Sequence, residues 1–173
     1  MNARSGTDVL EELIAATNRR DLDGIVAQFA TDVRSDTPAH PARSFVGSDQ
    51  VRRNWSQILG AIGDLNATIA SSATSAGATP GGETVWAEIA FDGTRPDGAP
   101  WRMRGVTVNE VVDGQIASLR FYLEPVDDAA VGADDAVRRA VGTAGAPASL
   151  GTPEQRPATS SAALVATTVG AAR

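Results

Sequence analysis

The chain has 173 residues, a formal net charge of −6, no lysine and no cysteine. That length holds one domain and a tail, and the acidic balance argues against a general nucleic-acid binder, which must present cations to phosphates. Without cysteine there is no disulfide, thiolate metal site or cysteine nucleophile. Hydrophobic residues make up 42% and aromatics 5%, so the predicted core is mainly aliphatic.

Near the N-terminus Asp8, Glu11 and Glu12 stand where a signal peptide would need an apolar core. Thr7 and Asp8 read as a helix start, acids in the first turn being favoured by the helix dipole. Val9, Leu10, Leu13, Ile14 and Thr17 then recur at helical spacing. The pattern breaks at Asn18 to Asp21, and a second short helix follows with Leu22, Ile25, Val26 and Phe29 on one side. Val33 to Thr37 reads as extended, since Pro38 and Pro41 stop a helix there. Ser48 can cap a third helix with the stripe Val51, Trp55, Ile58, Leu59 and Ile62, and Gly63 can end it.

From Leu65 the period changes from helical to two. Leu65, Ala67 and Ile69 alternate, as do Val85, Ala87, Ile89 and Phe91, with a hairpin connection expected within Ser71 to Gly82. Asp92-Gly93 and Asp97-Gly98 are turn signals. Trp101 to Val112 reads as a long strand, Asp113-Gly114 as a tight hairpin turn, and Ile116 to Glu124 as the return strand ended by Pro125. A short helix is expected at about 129–141. Beyond it, 142–173 is rich in Ala, Gly, Thr, Ser and Pro and is expected to be disordered. The apolar run Ala162 to Val169 is too short to span a bilayer, and a cytoplasmic protein is expected. Helices followed by antiparallel strands give an α+β domain over 1–141.

Two stretches carry a resemblance. N-R-R-D-L-D-G-I-V-A-Q-F-A-T-D-V from Asn18, followed by F-V-G-S from Phe45, is the first; M-R-G-V-T-V-N-E-V-V-D-G-Q-I-A-S-L-R-F-Y-L-E-P-V from Met103 is the second. Together they make the chain similar to the SnoaL-like branch of the nuclear-transport-factor-2-like superfamily over about Thr7 to Val126. The resemblance implies a cone in which three N-terminal helices pack on a curved antiparallel sheet around a central pocket. Its members include ketosteroid isomerases, polyketide cyclases, limonene epoxide hydrolases, dehydratases and noncatalytic modules, so the fold is implied more specifically than the chemistry.

By that resemblance Asp36, in S-D-T-P after the first strand, matches the carboxylate that moves a proton between carbons. A desolvated carboxylate there would serve as general base; the residue can equally be a turn acid capping the Thr37 to His40 loop. Other isomerase parts are missing, because Leu13 stands at the oxyanion-binding tyrosine position and Thr107 or Val108 near that of the protonated acid. Phe121 stands where epoxide hydrolases carry an acid. Leu13, Trp55, Thr107, Leu119, Phe121 and Leu123 are expected to line the pocket, with His40, Glu88 and Arg104 as candidate polar groups. Glu88 and Arg104 could meet across strands. Arg120, Tyr122 and Glu124 should face outward with Val106 and Val108, on a face suited to a homodimer.

No metal site, nucleotide site or cofactor is expected, since the only histidine is His40 and no Gly-rich loop follows a strand. Three functional readings follow. The first is a cofactor-independent, cyclase- or isomerase-like enzyme using Asp36 on an apolar substrate. The second is a noncatalytic module binding an apolar small molecule, and the third is a dimerising scaffold with a filled interior.

Overall fold

The computed structural model describes residues 4–127 and 131–143. Its elements run α1 Gly6–Asn18, α2 Leu22–Ala27, β1 Phe29–Asp36, β2 Phe45–Val46, α3 Ser48–Ala61, β3 Asn66–Ala76, β4 Glu83–Thr94, β5 Pro100–Val112, β6 Gln115–Pro125 and α4 Ala133–Ala140. The result is an α+β fold with four helices and a six-stranded sheet in the order β2-β1-β6-β5-β4-β3. The sheet is mixed rather than wholly antiparallel as expected, because β1 runs parallel to β6. Those strands are far apart in sequence, which gives the chain the long crossover that parallel pairing requires.

The chain divides into two units at Asp128/Ala129. Helix α4 lies in the second unit. It carries Asp134 and Asp135 in its first turn and Arg138 and Arg139 in its last, the charge order that a helix dipole favours. The tail expected to be disordered lies outside the described residues from 144 onward.

Local chemistry explains the element ends. Helix α1 starts at Gly6, just before the expected Thr7, because Ser5 caps it in a reciprocal capping box with Asp8. The Ser5 hydroxyl, followed by the Ser5 backbone, holds the Asp8 carboxyl below its ordinary range. Asp21 caps α2 by accepting from the Gly24 amide at 2.8 Å. Between these helices Arg20 takes a φ of 61°. Its guanidinium donates to the Leu59, Ile62 and Gly63 carbonyls, closing the C-terminal end of α3.

Asn18, at the end of α1, accepts from the Ala67 amide at 2.7 Å and donates to the Ala67 carbonyl at 2.9 Å. The carboxamide thus supplies the pairing that edge strand β3 lacks on that side.

The hairpin signals resolve differently from one another. Asp113 and Gly114 both have positive φ, 52° and 74°, as a type I′ turn requires. Asp92-Gly93 is not a turn; both residues lie inside β4, and the chain turns at Arg95 to Ala99 instead. Gly93 has a different purpose, since a Cβ there would strike the Ile62 side chain at the end of α3. Strand β3 likewise runs on to Ala76, which shortens the expected connection before β4.

The core joins α1, α2 and α3 to the sheet through Val9, Leu10, Ile25, Val51 and Leu59 on the helices and Val33, Val85 and Ile116 on the strands. Leu10, Ile25 and Ile116 are among its largest fully buried side chains. Each contributes roughly 1.5–3 kcal/mol by leaving water. Among the described residues, no helix is long and apolar enough to cross a membrane.

Candidate functional site

A cavity of about 280 Å³ lies between helices α1 and α3 and the sheet. Strand register decides which side chains reach it. Across β4, β5 and β6, the rows Val85–Asn109–Leu119, Ala87–Thr107–Phe121 and Ile89–Gly105–Leu123 face the helices. Helix α1 contributes Leu10, Leu13, Ile14 and Thr17, and α3 contributes Val51, Asn54, Trp55 and Ile58. Ser35 and Thr37 line it from β1 and its end, and Arg43 and Phe45 from the following turn and β2.

The aromatic wall is continuous. Trp55 meets Phe91 edge-on with centroids 5.9 Å apart, and Phe91 stacks with Trp101 at 6.2 Å. These preferred ring geometries leave flat apolar surface toward the cavity.

Polar groups are few and largely committed. The Asn109 amide nitrogen donates to the Val85 carbonyl at 3.2 Å and to the Thr107 hydroxyl at 2.8 Å. A carbonyl can only accept, so the first bond fixes which end of the carboxamide is the nitrogen. Thr107 accepts the second bond and keeps its own proton to donate. The Thr17 hydroxyl donates to the Leu13 carbonyl at 2.8 Å. Asn54 accepts from Gln50 at 2.8 Å, which leaves its amide hydrogens for a further acceptor. Among the described residues of the lining, Arg43 alone is ionisable.

The profile of the SnoaL-like domain matches residues 10–119. The chain belongs to the SnoaL-like family. No curated protein sequence matches it. Its fold is similar to that of a Bacillus subtilis protein provisionally named an isomerase, with a TM-score of 0.60, 20% identity and coverage of 83% of this chain and 97% of that one. It is similar to a Mycobacterium tuberculosis protein in complex with estradiol-17beta-hemisuccinate, with a TM-score of 0.56, 19% identity and coverage of 69% and 94%. A Catenulispora acidiphila protein with a ketosteroid isomerase-like fold, in complex with trimethylamine, gives a TM-score of 0.56 at 16% identity, covering 69% and 87%. These likenesses carry the nuclear-transport-factor-2-like fold.

Six of the residues expected in this SnoaL-like pocket line the cavity: Leu13, Trp55, Thr107, Leu119, Phe121 and Leu123. Asp36 does not. It stands opposite Arg120 in the parallel β1–β6 pair and belongs to a groove on the other side of the sheet, with Thr84, Glu110 and Ser118. Its side chain is 41% exposed and lies 3.4 Å from Arg34. The apolar surroundings that a pocket base needs are not present there.

Nor do the other candidate polar groups converge on the cavity. His40 pairs with Glu124 at 3.0 Å and is not part of the lining. Glu88 stands opposite Val106, whereas Arg104 stands opposite Ala90, so the two do not form a cross-strand pair. Arg104 instead binds Asp92 at 2.7 Å and the Phe91 and Met103 carbonyls. Glu88 lies by the Ser71 hydroxyl at 3.5 Å.

The far face of the sheet has the expected outward residues. Tyr122 stands opposite Val106, and Arg120 opposite Val108. Trp86 is 47% exposed there, and the Arg120 guanidinium lies 5.8 Å from its ring centre, within cation–π range.

Proposed function

We propose that this SnoaL-like protein is a noncatalytic pocket protein, binding an apolar small molecule between its helices and sheet. One observation carries the reading: among the described residues, the lining offers aliphatic, aromatic, amide and hydroxyl groups and one arginine, but no carboxylate, imidazole or thiol. Moving a proton between carbons needs a group that titrates near the working pH within hydrogen-bond reach of the reacting atom. Amides and threonine hydroxyls do not titrate there, and arginine stays protonated.

The isomerase- or cyclase-like reading would rely on Asp36, and that residue's position on the far side of the sheet weighs against it. A cavity of about 280 Å³ weighs against a merely filled scaffold. Its volume is near the lower end of pockets that enclose small organic ligands, and its apolar walls with a few polar groups match their usual character. The Mycobacterium tuberculosis relative bound to a steroid ester supports the same use of the fold. Nothing in this reading requires a cofactor.

The far sheet face, with Trp86, Tyr122 and Val106, supports a homodimer as part of the same proposal. Sedimentation of a Tyr122→Glu variant tests that part, a shift to monomer being expected.

The binding reading is tested by extracting the purified full chain with organic solvent and identifying the extract by mass spectrometry. An apolar compound near one per chain is expected, and incubation with the protein should return it with unchanged mass. Conversion to a product would overturn the noncatalytic reading. An extract without such a compound, together with no binding of an apolar fluorescent probe, would overturn the pocket itself.

A further inference from the structure

We infer that the ligand of this cavity carries an anionic head, held at Arg43, on its apolar body. The inference rests on the binding reading and adds the ligand's charge class. Arg43 is exposed, yet it belongs to the lining of a cavity whose other described side chains are all uncharged. It makes no ion pair with a described residue, so no described carboxylate competes for its guanidinium.

The turn that carries it is tied down. The Arg43 amide donates to the His40 carbonyl at 2.9 Å, and the Ser44 amide donates to the Pro41 carbonyl at 3.1 Å. The Ser44 hydroxyl in turn accepts from the Thr37 amide at 2.9 Å, tying the turn to the end of β1. Only the side chain beyond this fixed backbone has to adapt to a ligand.

Chemistry selects the sign of the head. A cationic group would meet an arginine and no compensating acid. A carboxylate, sulfonate or phosphate would gain charge-assisted hydrogen bonds from a planar guanidinium. Because Arg43 is exposed, the head can keep part of its hydration while the rings or chains behind it enter the apolar cavity. The burial cost of a charge is thereby avoided. Asn54 adds a second donor to the lining, since its amide oxygen is already engaged by Gln50.

Two probes with one ring skeleton test this: anilinonaphthalene sulfonate, which is anionic, and phenylnaphthylamine, which lacks the sulfonate. Both are titrated by fluorescence into the full chain, and each is used to displace the other. Mutual displacement assigns both to one site without any substitution. The sulfonate is expected to bind about fivefold tighter, the scale of a partly exposed charge pair.

In Arg43→Gln the ratio of the two affinities should fall to about one, and in Arg43→Lys most of it should return. A ratio that persists in Arg43→Gln overturns the inference. Equal binding of both probes to the native chain also overturns it but leaves the pocket reading intact. If neither probe binds, the inference fails, and the pocket reading fails with it where the solvent extract also holds no apolar compound.

Discussion

Ser35 and Asp36 are neighbours on β1 that serve opposite sides of the sheet: Ser35 is buried in the cavity lining, whereas Asp36 stands beside Arg120 in the groove on the far face. The alternation of a strand makes this unavoidable, because any one-residue step moves a side chain to the other face. Asp36→Asn is therefore expected to leave the affinity for phenylnaphthylamine within about twofold and the stability within about 0.5 kcal/mol, as for most exposed substitutions. Fluorescence titration and urea unfolding measure the two. A loss of binding beyond tenfold with the fold intact would return Asp36 to the site.

Thr107 and Asn109 should be energetically coupled. Their 2.8 Å hydrogen bond is buried, and the Val85 carbonyl holds the carboxamide in place. Thr107→Val and Asn109→Leu nearly preserve shape, so a double-mutant cycle in urea isolates the shared bond. A coupling of about 1 kcal/mol is expected, the usual net value of one buried hydrogen bond. Additive effects would mean that the two side chains contribute to stability independently.

Acid should weaken the β3–β4 connection through Glu110. The Thr79 backbone amide donates to its carboxylate at 3.0 Å and the Thr84 hydroxyl at 2.7 Å. The Thr79 bond is the main cause of a pKa held below the ordinary 4.5, with Thr84 adding to it against the opposing effect of burial. A depressed folded-state pKa gives stability that is complete above the unfolded value and lost as pH falls through the folded one. Wild type should thus exceed Glu110→Gln by about 1 kcal/mol near neutrality, allowing for solvent screening, and the gap should close in acid below the ordinary carboxylate range. Asp8 and Asp64 also have lowered pKa values, but both proteins share them. Thermal melts across a pH series give the comparison, and a gap that stays constant would remove Glu110 as its source.

Much of this is legible in the sequence. The alternation divides β6 into Leu119, Phe121, Leu123 and Arg120, Tyr122, Glu124, the resemblance turns the first set toward the pocket, and the structure has that facing. The same rule applied from Val33 puts Ser35 and Thr37 inside and Asp36 outside, whereas the family resemblance matches Asp36 to a pocket carboxylate. Asn109 was likewise available as the inward partner of Thr107 two residues on. Asn54 lies three residues after Val51 on the helical stripe, a spacing that brings both to one face. Arg43 could not be foreseen, because an irregular turn has no period to read. Nor could the Arg104–Asp92 pair, since its register depends on the length of the Arg95 to Ala99 turn, and Asp92-Gly93 suggested a different turn.

Gly105 is the position where the sheet tolerates least. It lies between Ile89 and Leu123 in an inward-facing row and has a φ of 151°. A Cβ there would collide with the Tyr122 carbonyl and sit 2.8 Å from the Leu123 Cα. Both obstacles are backbone, so no side-chain rotation can relieve them; β6 itself would have to move, and Phe121 and Leu123 with it. Gly105→Ala is expected to cost about 3 kcal/mol, large for one methyl group, and to disturb the cavity wall. At this chain length that corresponds to a fall in Tm of roughly 6–12 °C. Gly60→Ala provides the control, because no atom lies within 4 Å of the added methyl and the residue is inside α3. There a small gain in stability is expected, from helix propensity alone. Equal behaviour of the two variants in calorimetry would show that β5 and β6 can separate at Gly105 without penalty. The close approach of their backbones would then not be what shapes this wall.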